Sequence, residues 1–434
     1  MGTYFGTDGV RGVAIDELTG EMSEKLGATI ASMKVNAKIL IAKDTRKSCD
    51  YLLHSFVSGA ISQGADVASL KIAPTPCVSY LVKLLGYDYG VVISASHNSV
   101  EYNGIKIFGS NGQKILDSFE DKIEKRLFLP KNLDKQNLGS FEEKQELLKY
   151  YFLNLYSILD HKLDLKIVVD CSNGAAFKII PQILKKLGAK VYTVGCKPNG
   201  NNINTNCGAL NLATIKKKVV KTQADIGFAF DGDADRIIAI DENGEEFDGD
   251  QIICALAKFF KSQGDLKGDS VVLTTQTNTG IEEDLINHGI QMIRSDVGDK
   301  YVIEKMNQIG VDLGGEQSGH IIIKKYGETG DGLITAIVLS KMLCESGLKL
   351  SDLRVTDLYY QAIENIQTQD KNEIIHNAEI QAYKAYLESL LGVGRIMIRA
   401  SGTEPKIRIM VEHKIKEVAE STLLLLSSKI REIL

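Results

Sequence analysis

Three times along its 434 residues the chain passes through the same succession of an amphipathic helical stretch, a turn holding an aspartate, a short apolar run and a polar loop. The passes are VSYLVKLLGYDYGVVISASHN at 78–98, IKKKVVKTQADIGFAFDGDADR at 215–236 and VIEKMNQIGVDLGGEQSGH at 302–320. Short apolar runs alternating with helices predict βα units, because a strand covered on both faces needs no polar alternation. The unequal spacings exclude a solenoid and point to three similar α/β domains with mixed, largely parallel sheets. Their ligands are expected at the carboxyl ends of the strands, where the polar loops lie.

Polar stretches bound these units. Residues 128–146 hold one of only six prolines and predict the first linker. An acidic stretch, DENGEEFDGD, covers 241–250, and QAIENIQTQDKNE at 361–373 sets off the tail. In the tail, RIMIRASGTEPKIRIMVE (395–412) alternates around a turn and is followed by a helical stretch from about 415. Two antiparallel strands and a helix predict a small C-terminal α+β domain. The expected domains are 1–140, 147–244, 245–355 and 360–434.

Composition narrows the function by exclusion. A net charge of −5 offers no bulk attraction for nucleic acid or an anionic membrane. The seven cysteines are scattered without a CxxC pair, which excludes a zinc ribbon and argues against a disulfide framework. No run approaches the ~18 apolar residues of a membrane helix. The start, MGTYFGTDG, has neither the basic nor the apolar region of a signal peptide. A cytoplasmic protein acting on a small molecule is the expectation.

The loops carry the chemistry. Ser96 and His97, in SASHN after the apolar run GVVI, offer a hydroxyl nucleophile and a group for acid–base work or anion binding. As bare residues they are equally ordinary turn formers. In DGDADR, Asp231, Asp233 and Asp235 stand two apart, so an extended chain places neighbouring members about 6.6 Å apart on one face. Gly232 is expected to let the backbone curl, so that the carboxylates converge on a hard cation. A calcium loop would have its acid at Glu242, but Arg236 stands where such a loop needs glycine. Octahedral Mg²⁺ fits better. GGEQSGH (314–320) reads as a close approach to a polyhydroxyl ligand or as a glycine-rich turn. Around SGTEP, Arg399, Arg408, two hydroxyls and backbone N–H groups form an anion nest. A metal loop, a nucleophile and a phosphate clamp together imply phosphoryl transfer.

FGTDGVRG (5–12), SASHN with NGIK (94–106), DGDADR, GGEQSGH and SGTEP resemble the signature loops of the α-D-phosphohexomutases in order and spacing. GEQSGH and VGDKYV (297–302) resemble the phosphoglucosamine mutase branch. The resemblance implies four domains around a central cleft and interconversion of glucosamine 6-phosphate and glucosamine 1-phosphate, on the route to UDP-N-acetylglucosamine. It implies a covalent phosphate on Ser96, Mg²⁺ on Asp231, Asp233, Asp235 and the phosphoserine, and glucosamine 1,6-bisphosphate as intermediate and activator. By the same resemblance Arg236 faces the phosphoryl group or sugar, Glu316 and Ser318 hold sugar hydroxyls, and Lys106, His97 and His320 are acid–base candidates. Arg399, Ser401, Gly402, Thr403 and Arg408 clamp the non-reacting phosphate, while Thr7 and Arg11 line the cleft. The chain departs from the pattern at Ser99, where proline is usual, and at Cys49, where glycine is usual.

The expected partner is a phosphosugar, with neither nucleic acid nor membrane, for a monomer or homodimer. A phosphomannomutase or phosphoglucomutase shares every loop, and a non-enzymatic metal or sugar-phosphate module is the alternative outside catalysis. An aspartyl phosphatase of the DxDx[TV] type is disfavoured by Arg236 and Ile237 after the carboxylates.

Overall fold

The computed structural model describes residues 4–6, 8–129, 138–400 and 405–434. They form two compact units, one of residues up to 275 with 290–354, the other of 276–289 with 355–434. The first unit holds three mixed sheets. In each, parallel pairing occupies one side and antiparallel pairing the other.

The recurring sequence unit explains this layout. Its helices are Thr75–Leu85, Ala213–Thr222 and Asp299–Ile309. Each ends in a left-handed residue: Gly86, Gln223 or Gly310. That conformation turns the chain sharply from helix into strand. The aspartates that follow serve in the turn, since the Asp88 and Asp225 carboxylates accept the N–H of Lys38 and Lys166 at 2.8 and 2.6 Å. The apolar runs become the buried strands Tyr89–Ile93, Ile226–Phe230 and Leu313–Gly315.

The return path differs from a simple βα repeat. After each polar loop the chain comes back antiparallel, as Tyr102–Gly109, Ile237–Ile240 and Ile321–Ile323. Strand pairs close each loop at its base: Ile93 with Ile105, Phe230 with Ile237, and Gly315 with Ile321. A loop anchored by a ladder at both ends has far fewer conformations than one leading into a helix. The sheets are therefore less parallel than the helix–strand alternation suggested.

Two polar stretches also do more than link. Phe141–Glu143, within 128–146, forms the edge of the first sheet, parallel to Asp66–Ile72. Glu246–Phe247, within the acidic stretch, pairs antiparallel with Ile237–Ile240 at the edge of the second sheet.

The second unit has a three-stranded antiparallel sheet in the order Tyr360–Gln367, Lys406–His413, Arg395–Ala400. Alternation in the sequence predicts two of these strands; the third lies mostly in 361–373, the stretch expected to separate the tail. Ala362 and Ile366 face the core with Ile407, Ile409, Leu426 and Ile430, but Glu364 between them hides the alternation. The helix Lys416–Ile433 covers the sheet. No helix among the described residues is long and apolar enough to cross a membrane.

Candidate active site

The three polar loops of the first unit meet. Ser96 adopts a left-handed backbone with φ +53, a conformation that costs a non-glycine residue about 1 kcal/mol or more. Its Oγ donates to Asp231 Oδ2 at 2.5 Å and lies 3.1 Å from His97 Nδ1. Burial first, then the neighbouring Arg236 and Arg11 cations, holds the His97 pKa down to about 3, so the imidazole is neutral at neutral pH.

The carboxylates of Asp231, Asp233 and Asp235 are all buried, and each offers an oxygen within 4.8 Å of the others. They do not lie along a strand face, as the two-residue spacing suggested. Residues 231–236 form a turn, and the left-handed residue that curls it is Ala234, φ +59. Gly232 has another task. A Cβ there would stand 2.4 Å from the Ser96 carbonyl oxygen, so its absence lets the Ser96 loop rest on the carboxylate loop. Gly232→Ala is therefore expected to push Ser96 off Asp231 and lower kcat about 10²-fold, with the fold intact by circular dichroism.

Lys106, on the first return strand, donates to Asp233 Oδ2 at 2.7 Å and Asp235 Oδ2 at 2.9 Å. Burial works against its charge, but Asp233, Asp235 and Asp8 outweigh it and hold its pKa well above the ordinary lysine value. Thr75 Oγ1 also donates to Asp233 Oδ2, at 2.5 Å. Oδ1 of Asp233 and Oδ1 of Asp235 are buried with no hydrogen-bond partner. Burial, followed by the carboxylates of Asp235 and Asp233, pushes Asp231 well above the usual carboxylate range. Unpartnered carboxylate oxygens converging beside a frustrated third acid are what a hard divalent cation requires, and three oxygen donors suit Mg²⁺. The residues fit the metal.

His320 accepts the Gly330 N–H at Nε2, 3.0 Å away, which leaves Nδ1 as the ring nitrogen turned elsewhere. That nitrogen faces Asp235 Oδ2 at 3.9 Å. Gly319 beside it has φ +90, and a Cβ would meet Ile237 O at 2.0 Å, so the third loop also sits against the second. Glu316 accepts the Gly298 N–H at 2.9 Å and the Ser318 hydroxyl at 3.4 Å. Its charge acts on Arg236, whose pKa is raised by Asp235, Asp231 and Glu316 against the effect of burial. Arg11 Nη1 donates to Asn98 Oδ1 at 3.1 Å and pairs with Asp8.

Arg399 and Arg408 lie directly opposite each other on paired strands of the second unit. Thr7, Ser401, Gly402 and Thr403 fall outside the described residues.

Sequence reasoning missed several participants. Asp8 pairs with Lys106, Lys114 and Arg11, and Lys114 reaches Asp299, which lies 3.5 Å from His320 Nε2. Asp8 and Asp299 sat in plain view in FGTDGVRG and VGDKYV, whereas Lys114, Thr75 and Asn204 carried no motif signal.

Comparison with known proteins matches all four parts of the chain to one enzyme family. Residues 2–133, 149–244 and 248–359 match phosphoglucomutase/phosphomannomutase alpha/beta/alpha domains I, II and III, and 358–423 match the C-terminal domain of the same enzymes. Fold and site thus define a phosphohexomutase. The phosphoglucosamine mutase of Caldicellulosiruptor bescii is 43% identical over 99% of this chain and 100% of its own. A phosphoglucomutase/phosphomannomutase family protein of Burkholderia thailandensis shares the fold, with a TM-score of 0.82 at 22% identity over 99% of this chain and 97% of that one. So does the N-acetylphosphoglucosamine mutase of Aspergillus fumigatus, solved with GlcNAc-6P and magnesium, with a TM-score of 0.71 at 17% identity over 99% and 95%. The chain belongs to the phosphoglucosamine mutase family of isomerases.

Proposed function

We propose that the protein interconverts glucosamine 6-phosphate and glucosamine 1-phosphate, with Ser96 carrying a phosphoryl group between substrate molecules. The observation that carries this reading is the Ser96 hydroxyl set 2.5 Å from Asp231 of a buried carboxylate triad. The end-to-end match to phosphoglucosamine mutases supports the choice of sugar.

In the forward direction the C1 oxygen of glucosamine 6-phosphate forms a P–O bond as the Oγ–P bond of phosphorylated Ser96 breaks, and the C1 hydroxyl proton passes to a base. The resulting glucosamine 1,6-bisphosphate reverses its orientation. Its 6-phosphoryl then returns to Ser96 Oγ, and the C6 oxygen takes up a proton. A phosphoserine carries about −1.5 to −2 charges, which repel an incoming sugar oxygen unless they are offset. Mg²⁺ held by Asp231, Asp233 and Asp235 would supply that neutralisation.

The chain's own residues supply the rest. His97, kept neutral beside Ser96 Oγ, takes and returns protons at that oxygen. Lys106, kept protonated, donates, and His320 is the third acid–base group. Arg236 and Arg11 add positive charge around the transferring phosphoryl. Glu316 and Ser318 hold sugar hydroxyls. By the family resemblance Arg399, Ser401, Gly402, Thr403 and Arg408 are the residues for the non-reacting phosphate, and Thr7 is a further substrate-binding residue.

Phosphorus NMR of the enzyme with glucosamine, glucose and mannose phosphates side by side tests the reading. The highest kcat/KM is expected for glucosamine 6-phosphate. A preference for glucose or mannose phosphate reassigns the substrate, and no turnover of any of them leaves only a binding module.

A further inference from the structure

We propose that Arg46, together with Asn204, is a positioning residue for phosphoryl transfer: the two side chains grip the backbone carbonyls of the 96–99 loop and hold Ser96 in its left-handed conformation. The inference rests on the reading of Ser96 as the phosphoryl carrier.

Ser96 sits at φ +53, a region that a residue with a Cβ leaves unless its surroundings prevent it. The residues after Asn98 are Ser99 and Val100, neither of which fixes φ as a proline does. Side chains from elsewhere hold the loop instead. The Ser96 carbonyl accepts from Arg46 Nη2 at 3.1 Å and from Asn204 Nδ2 at 2.9 Å. The Asn98 carbonyl accepts from the same two nitrogens at 2.8 and 2.9 Å. The Ser99 carbonyl accepts from Arg46 Nη1.

The other end of the nucleophile is tied to the same arginine. The Ser96 N–H donates to Ser94 Oγ at 2.9 Å, and Ser94 Oγ donates to Asp44 Oδ2 at 2.7 Å. Arg46 Nε donates to that same Asp44 oxygen at 3.0 Å. A closed circuit thus runs from the Ser96 N–H through Ser94, Asp44 and Arg46 back to the Ser96 carbonyl. Arg46 is 2% exposed and Asp44 0%, so neither can turn to water instead. Asn204 is anchored in turn by its N–H to Ser172 O at 2.8 Å.

The side-chain hydrogen bonds of Arg46 and Asn204 go to the carbonyls of the 96–99 loop and to Asp44, not to the Ser96 hydroxyl or to Asp231, Asp233 and Asp235. They act through the peptide groups on either side of Ser96, and a small rotation there swings Oγ away from Asp231. A planar guanidinium reaches three carbonyls and a carboxylate at fixed angles, which a single ammonium on a flexible stem does not reproduce.

The test uses the full chain with Arg46→Lys and, separately, Asn204→Ala, which leaves the buried Asp44–Arg46 pair intact. Steady-state kinetics on glucosamine 6-phosphate are read beside the Mg²⁺-dependent rise in thermal midpoint. Arg46→Lys is expected to lower kcat about 10²-fold, the cost of misplacing a reacting atom by about 1 Å. Asn204→Ala is expected to lower it by a smaller factor. In both, KM stays within about twofold and the Mg²⁺-dependent rise stays as in the parent, because the carboxylates are untouched. Parental kcat in both variants overturns the proposal, as does a kcat loss matched by loss of the Mg²⁺ response. If Arg46→Lys does not fold, Asn204→Ala decides alone. A parent enzyme that turns over no glucosamine phosphate strikes the functional reading, whereas an active parent with fully active variants strikes only the positioning role.

Discussion

Ser96→Ala leaves a folded protein whose turnover of glucosamine phosphates falls by on the order of 10⁴-fold or more, to the limit of detection. Alanine has the same Cβ as serine, so it meets the φ +53 backbone with no added strain. The circuit through Ser94, Asp44 and Arg46 uses only the backbone groups of residue 96 and is retained. What disappears is the oxygen 2.5 Å from Asp231, the atom proposed to carry the phosphoryl group. Intact-mass spectrometry of the parent after incubation with glucose 1,6-bisphosphate is expected to show one added phosphoryl group, and the variant none. The thermal midpoint is expected to stay within about 3 °C, since a single hydrogen bond is worth about 1 kcal/mol. Turnover within tenfold of the parent would sink the phosphoserine mechanism.

The second large effect is expected from metal removal. Two carboxylate charges at the 4.8 Å limit of the triad repel by roughly 3–4 kcal/mol at an effective dielectric constant of about 20. Lys106 relieves part of this through Oδ2 of Asp233 and Oδ2 of Asp235, but the Oδ1 oxygens have no hydrogen-bond partner. A divalent cation that binds the folded chain alone raises its stability by about 2.7 kcal/mol at one hundred times the dissociation constant. Chelation is therefore expected to abolish turnover and lower the thermal midpoint, and added Mg²⁺ to restore both. Asp235→Asn is expected to lose about 10³-fold or more in kcat together with most of the Mg²⁺-dependent rise in midpoint. A variant that responds to Mg²⁺ as the parent does would show that the cation is held elsewhere.

Part of this site was legible without coordinates, because its chemistry is written in short contiguous stretches. Asp231, Asp233 and Asp235 are unusual enough together that a cation is the economical reason for them, and SASHN and GEQSGH stand at the ends of recognisable apolar runs. The helix, turn and strand of each repeating unit were legible too, since an aspartate marks the turn in all three and a glycine precedes it in the first and third. The strand Tyr360–Gln367 was not, because Glu364 interrupts an alternation carried by only Ala362 and Ile366. Nor was the edge strand Phe141–Glu143, which buries too little to show an apolar signature.

The repeated unit and the run of three aspartates follow from local sequence, where one residue's chemistry or one turn's geometry decides. Tertiary structure alone decided how those pieces act on each other. It showed that Ala234 rather than Gly232 bends the carboxylate loop, and that Gly232 is small for the sake of the Ser96 carbonyl. It also brought Lys106, 127 and 129 positions from its two carboxylates, to within hydrogen-bonding distance of them, and placed Arg46 and Asn204 on the Ser96 carbonyl. Such contacts join residues far apart in the chain, and no period or spacing records them, because burial and return-strand pairing are properties of the assembled sheets.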